Sequence, residues 1–373
     1  MNFKTEKDKI ILCLLMILLC GCIAVVSALY TENTDFPAFY RAAMIIMDPN
    51  IPNENVYDVA DPINMYNIPE EFVQYRFSLP AAYLISPLAL LPYSSAKAVM
   101  TLINILAYAV SVIVLLRFVN ASGRRFVWPL AFSFLWMPFL RDIGFVQVNS
   151  ILLIFITIAV FMAIKDRPLA TGMFLGTAAL FKMFPIAIAM VLGLKNWRIF
   201  TSCVLMFSLA LILPGSKEWF ASFAYTSFRT EFYSVIYMWL KGYNILLYVV
   251  YVALVGGITA LVAHRFKYYN YPVLTSLAIP AVLLTMPIIE YFHLVLLIFP
   301  YVYLLTQRLP VIYTIFLMIS LIVIFSGGFL FPGYIITSYL IIIGLFILWV
   351  TIISLILNKH PEHFNNNNGK LII

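Results

Sequence analysis

Long apolar runs alternate with short charged connectors along most of this chain. Runs such as 10–29, 144–164 and 338–357 hold the roughly 20 predominantly apolar residues that a helix needs to cross the hydrocarbon core of a bilayer. The pattern predicts about twelve membrane helices. They fall at 10–29, 94–117, 127–140, 144–164, 168–181, 184–194, 199–213, 243–263, 271–288, 292–306, 311–330 and 335–357. A proline-punctuated stretch, 79–92, is expected to lie at the interface or dip into the membrane. Two connectors are long. The first, 30–77, is polar. The second, 214–242, carries Trp219, Phe220, Phe223 and Tyr225, a density of aromatics that suits an interfacial layer or a cover over a cavity mouth. The prediction is an all-α polytopic membrane protein, one domain over 1–357, with a long first extracytoplasmic loop. A cytoplasmic tail, 358–373, follows. Its asparagine run at 365–368 reads as disordered.

Composition narrows this further. Hydrophobic residues make up 64% of the 373 and charged residues only 10%, against about 25% charged in soluble domains. Such a chain cannot cover a water-facing surface, so membrane lipids are its expected outer solvent. The net charge of +7 does not signal nucleic acid. The basic residues sit in small groups between apolar runs, as topology signals do, and no basic helix or aromatic RNA-binding pattern accompanies them. With the N-terminus placed in the cytoplasm, most Lys and Arg fall on the inside. Lys4, Lys7, Arg124, Lys165, Lys195 and Arg265 are among them. This predicts both termini inside. The basic N-terminus before 10–29 imitates a signal peptide, but the run is long and no small-residue cleavage site follows, so it reads as a retained helix. Cys13, Cys20, Cys22 and Cys203 all lie in apolar runs, where packing rather than disulfide or zinc chemistry is expected.

One connector pair is informative. Lys165/Arg167 and Lys195/Arg198 are about thirty residues apart. If both pairs are cytoplasmic, the chain must rise and return between them, turning near Lys182–Pro185. Helices of about a dozen residues are too short to span about 30 Å. The expectation is a short hairpin with Lys182 at its tip, beside a cavity opening outward. The alternative is one long helix, kinked at Pro185 with Lys182 snorkelling.

Ionisable and polar groups at membrane depth are costly and are functional candidates. Asp35, flanked by aromatics, suits a general base; it also suits a helix N-cap. Arg41 could pair with Asp35 or bind phosphate. Arg141 and Asp142 could simply pair with each other. Gln147 and Asn149 could hydrogen-bond a sugar, or cap and pack helices. Glu290 and His293, three apart, would share a helical face and either pair structurally or orient a ligand. No Walker loop, metalloprotease motif or dinucleotide fingerprint is present, and four histidines make no histidine-rich metal centre. No cofactor and no metal are expected.

Four stretches resemble glycosyltransferase family 87, the polyprenyl-phosphate-mannose-dependent mannosyltransferases of the GT-C membrane fold. Asp35, Phe39, Tyr40, Ala42, Ala43, Tyr57 and Asp58 resemble the family's first outer loop. Pro87-Leu88-Ala89-Leu90-Leu91-Pro92 resembles its P-L-A-L-L-P. Gly144-Phe145-Val146-Gln147-Val148-Asn149 is similar to its G-Q-V-N, with two residues inserted. Leu180-Phe181-Lys182-Met183-Phe184-Pro185, with Lys195-Asn196-Trp197-Arg198 after it, resembles its L-K-x-x-P and K/R-x-W-R. Leu79 stands where the family has the first proline of its F-x-Y-P-P. Glu290 stands where its later motif has Trp, and of that motif's two histidines only His293 has a match.

The resemblance implies an inverting sugar transfer at the outer face of a bacterial-type plasma membrane. The implied donor is a polyprenyl phosphate sugar, with mannose the expected sugar, and the acceptor is a hydroxyl of a glycolipid or glycan. Asp35 would be the general base. Lys182, Arg41, Arg141 and His293 would meet the donor phosphate. Tyr40, Gln147, Asn149 and Glu290 would meet sugar or acceptor. A lipid or solute transporter and a non-catalytic membrane subunit are the competing readings.

Overall fold

The computed structural model describes residues 35–50, 56–57, 75–118, 124–225, 245–287, 289, 291–307, 309–329 and 334–358. The expected first helix at 10–29, Asp58, Glu290 and the tail 359–373 lie outside them. The described residues form helices and connecting turns. In chain order these are α1 (Phe36–Met47), α2 (Leu79–Ile85) running into a 3-10 turn (Ser86–Leu90), α3 (Tyr93–Phe118), α4 (Arg124–Phe134), α5 (Met137–Gly144) and α6 (Asn149–Ile164). There follow α7 (Pro168–Phe181), α8 (Pro185–Gly193), α9 (Trp197–Ile212), α10 (Ser216–Tyr225), α11 (Ile245–Arg265) and α12 (Tyr271–Thr285). A 3-10 segment (Tyr291–Leu297) then leads into α13 (Ile298–Leu305), with α14 (Val311–Phe329) and α15 (Tyr334–Leu357) last.

Among the described residues, three helices are long and apolar enough to cross a membrane by themselves: Tyr93–Phe118, Ile245–Arg265 and Ser338–Leu357. The other described apolar helices are shorter. Most of the large apolar side chains of α11 and α14 face outward, including Leu246, Leu254, Ile312 and Ile322. On a chain with this composition that surface belongs against lipid.

Several expected spans are broken, each for a local reason. The run 127–140 divides at Leu135–Trp136, because Pro138 is accommodated at the start of a new helix, α5, where a missing N–H costs nothing. The run 144–164 becomes helical only at Asn149. The run 292–306 begins as a 3-10 segment before α13. Within the connector 30–77, the helix that the N-cap reading of Asp35 implies is present as α1; it buries Phe36, Phe39, Tyr40, Ala42, Ala43 and Ile45.

The hairpin expectation fits the architecture. α7 and α8 are separate helices of 14 and 9 residues, rising about 21 and 14 Å. Lys182–Phe184 forms the break, with Pro185 opening α8. Both far ends of the hairpin come near Tyr271. Asp166, before α7, is its electrostatic neighbour, and the Lys195 ammonium, after α8, lies 4.7 Å from its ring centroid. Lys195 Nζ also donates to the Tyr269 carbonyl at 2.6 Å. Burial there lowers the Lys195 pKa.

α9 then runs alongside α7. Ser202 Oγ donates to Leu169 O at 3.0 Å. A Cβ on Gly172 would stand 1.8 Å from Ser202 Oγ and 2.2 Å from Ile199 O. The second of these is backbone and cannot swing aside, so only glycine allows the approach. Gly172→Ala should therefore force α7 and α9 apart and cost about 1–3 kcal/mol of stability, read as a lower melting temperature in detergent. An unchanged melting temperature would mean that the two helices do not pack this closely.

Candidate functional site

The end of the bundle that carries the α7–α8 tip is assembled from four separated stretches. Aromatic packing fixes the first two. Phe39 packs on Phe77 at 4.8 Å between centroids and on Tyr75 at 6.3 Å. Phe36 and Tyr40 pack on Tyr93 at 5.3 and 5.2 Å. Tyr57 donates to Phe77 O at 3.0 Å; burial raises the pKa of its phenol, and the Glu218 carboxylate adds to the rise. These contacts bind α1 to the segment before α2 and to the start of α3. Ser78 then joins that segment to the hairpin. Its N–H and Oγ both donate to Leu180 O, at 3.3 and 2.6 Å, meeting a carbonyl in the last turn of α7 that has lost its helical partner.

The third stretch is the loop between α5 and α6. It is held in an unusual backbone state. Val146 has φ of 51°, a left-handed conformation that a β-branched residue adopts only when its surroundings enforce it. Val146 N donates to Ile143 O at 3.0 Å and Gln147 N to Asp142 O at 2.9 Å. The first turn of α6 meets the Asp142 side chain. Oδ1 accepts from Asn149 N–H at 3.3 Å and from Asn149 Nδ2 at 2.7 Å. Oδ2 accepts from Ser150 N–H at 3.0 Å and from Ser150 Oγ at 2.6 Å. A carboxylate at a helix N-terminus satisfies orphan amides and complements the helix dipole.

The fourth stretch is the 3-10 segment Tyr291–Leu297. Trp136, at the α4–α5 break, donates its indole N–H to Leu294 O at 3.2 Å and packs on Tyr301 at 5.7 Å. This fixes the segment that presents His293.

Lys182 joins these stretches. Its Nζ donates to Asn149 Oδ1 at 3.0 Å. It lies 2.8 Å from His293 Nε2, so the imidazole accepts at Nε2 and carries its proton on Nδ1. The ammonium also lies 5.2 Å from the Phe292 ring centroid, within cation–π range. Asp35 reaches the same place through the backbone, its N–H donating to Phe145 O at 3.2 Å. Phe145 packs on Phe292 at 6.0 Å. Asp35 holds the N-cap position of α1, yet its side chain makes no capping hydrogen bond.

Asp35, Asn149, Lys182 and His293 thus converge on the Phe145–Asn149 loop. Gln147 belongs to that loop and is buried, and its Oε1 has no hydrogen-bond partner among the described residues. Tyr40 and Arg41 are held otherwise: Tyr40 donates to Leu91 O at 2.8 Å and the buried Arg41 to Val56 O at 3.2 Å. Arg141 does not pair with Asp142, whose oxygens go to Asn149 and Ser150. Arg141 is exposed and is an electrostatic neighbour of Tyr291. Among the described residues no cluster of three or more His, Cys, Asp or Glu could hold a metal ion.

Against known proteins, the family model described as Glycosyltransferase family 87 matches residues 75–300, more than half of the 373-residue chain. Gln147, Asn149, Lys182 and His293 lie inside the match, and Asp35 lies before it. No curated protein and no solved structure matches.

Proposed function

Since the chain belongs to glycosyltransferase family 87, and is a membrane glycosyltransferase on that ground, we propose that it moves a sugar from a polyprenyl phosphate donor to an acceptor hydroxyl, with inversion. Mannose is the sugar the reading favours, and the extracytoplasmic face is the side. The observation that carries the proposal is the convergence on one short loop of a carboxylate-bearing residue and a lysine. The backbone of Asp35 is tied to Phe145, and Lys182 is tied to Asn149.

In the proposed reaction the acceptor oxygen attacks the anomeric carbon from the side opposite the lipid phosphate. Asp35 takes the hydroxyl proton. The carbon–oxygen bond to phosphate breaks, and the leaving phosphate gains negative charge, which Lys182 stabilises. His293 and Asn149 hold the ammonium in place. Buried Gln147 Oε1, an acceptor without a partner among the described residues, would cost about 1–3 kcal/mol to leave unmet and suits a sugar hydroxyl. Arg141 is a second cation for the phosphate. Tyr40 and Arg41, bonded to backbone carbonyls, are assigned to holding the first loop. A prenyl chain fits the apolar helix faces, and a lipid-borne donor makes a nucleotide-sugar site unnecessary.

The test is transfer from labelled polyprenyl phosphate mannose to a mixed lipid acceptor pool in membranes containing the protein. A labelled product is expected. No product with mannose or with other polyprenyl phosphate sugars would overturn the donor assignment and favour a lipid or solute transporter.

A further inference from the structure

We propose that Asp142 is a positioning residue for sugar transfer: its carboxylate orients the Asn149 amide so that Oδ1, and not Nδ2, is presented to Lys182. The inference rests on the reading of Lys182 as the cation that meets the donor phosphate.

The argument is one of donors and acceptors. An asparagine amide has an accepting end and a donating end, and these exchange on a half-turn of the side chain. A lysine ammonium only donates, and an ionised carboxylate only accepts. Asn149 lies between one of each, with Nδ2 2.7 Å from Asp142 Oδ1 and Oδ1 3.0 Å from Lys182 Nζ. Only one amide orientation serves both neighbours. With a carboxylate at 142, the flipped amide would set oxygen against oxygen and nitrogen against nitrogen. Without it, nothing on that side selects the orientation, and the flipped form would put Nδ2 against the ammonium. Asp142 and Asn149 are both fully buried, so water is a poor substitute for the missing partner.

Charge acts in the same direction. A buried carboxylate one amide away favours the protonated lysine and leaves the network with balanced ends. Asp142 itself is well supplied with donors, through the N–H and side chain of both Asn149 and Ser150. The strained Val146 loop and the first turn of α6 keep Asn149 within reach of both partners.

Ser150 supplies the structural comparison. It bonds the same carboxylate through Oγ, and no described contact takes it to Lys182. Ser150→Ala removes one support of the loop and leaves the Asp142–Asn149–Lys182 order intact.

The experiment compares wild type, Asp142→Asn, Ser150→Ala and the double exchange Asp142→Asn/Asn149→Asp in the full-length protein. Each is purified in detergent and checked by size-exclusion elution and melting temperature. Binding of a short-chain isoprenyl phosphate is measured alongside kcat and KM for transfer. The loss of a hydrogen bond to a charged group predicts that Asp142→Asn weakens isoprenyl phosphate binding and kcat/KM by about tenfold or more. Ser150→Ala is expected to lower the melting temperature with binding within about twofold of wild type. The double exchange returns a carboxylate to the lysine's side of the pair and is expected to recover binding relative to Asp142→Asn. Equal losses in Asp142→Asn and Ser150→Ala, or no recovery in a folded double variant, would overturn the inference and leave Asp142 as a helix cap. If Asp142→Asn and the double variant both fail to fold, an Asn149→Ala protein that binds isoprenyl phosphate as wild type does would overturn it equally. Failure of the wild type itself to bind isoprenyl phosphate would strike the proposed function instead.

Discussion

Asp35→Asn is expected to fold, to bind the lipid donor, and to transfer sugar about 10²- to 10⁴-fold more slowly than wild type, the range of a positioned general base. The structure makes this substitution clean in two respects. The Asp35 backbone N–H that anchors the residue to Phe145 is unchanged by it. The side chain makes no capping hydrogen bond to α1, and asparagine is as good as aspartate at an N-cap, so the helix has little to lose. What is removed is the ability to take a proton, while shape is kept. The measurement is transfer rate against donor binding and melting temperature for both proteins. A variant that keeps its fold, its donor binding and more than about a tenth of the wild-type rate would remove Asp35 as the base and leave the rest of the site standing. Movement of lipid substrate that is lost while transfer continues would point to a transport role for the same carboxylate.

The sequence made part of this site legible, and the physics says which part. The α7–α8 hairpin could be read from two basic pairs placed too close together for a full crossing and return; Tyr271 has Asp166, from one end, as an electrostatic neighbour and the Lys195 ammonium, from the other, over its ring. Asn149, Lys182 and His293 were identifiable one by one as polar groups in apolar surroundings. Their contact was not. Lys182 and His293 are 111 positions apart, and no periodicity relates them; only the tertiary fold does. His293 lies in a 3-10 segment, and the shared face expected for Glu290 and His293 falls in part outside the described residues.

Asp142 was the instructive miss. Set against its neighbour Arg141, it read as half of a local ion pair. Consecutive residues on a helix do not face each other, and that rule was available from the sequence. The residues that Asp142 does meet, Asn149 and Ser150, begin the next helix. A carboxylate shortly before an apolar run is a cap signal, and here it also explains why α6 starts at Asn149 rather than at 144. α1 is legible only locally, through the N-cap reading of Asp35. Its buried Phe36, Phe39 and Tyr40 lie within a connector whose average is polar, and a window long enough to find membrane spans averages a 12-residue helix away.

Lys182→Met is the second large effect expected. Methionine keeps the apolar stem beside Phe292 and removes the ammonium. The loss falls where the donor phosphate is proposed to gain charge, so kcat should drop about 10²- to 10³-fold, the scale for removing one preorganised donor to a developing anion. Ground-state binding of the donor should weaken less, because the phosphate bears less charge before the sugar leaves. Lys182→Arg should recover only part of the rate. A planar guanidinium presents its donors in a fixed fork and cannot reproduce a point charge bonded at once to Asn149 Oδ1 and His293 Nε2. Steady-state kcat and KM with the lipid donor separate these outcomes, and the melting temperature separates them from misfolding. A Lys182→Met protein with near-normal kcat would move the phosphate away from the hairpin tip and toward Arg141, the exposed cation of α5, and Arg141→Met would then carry the loss in its place.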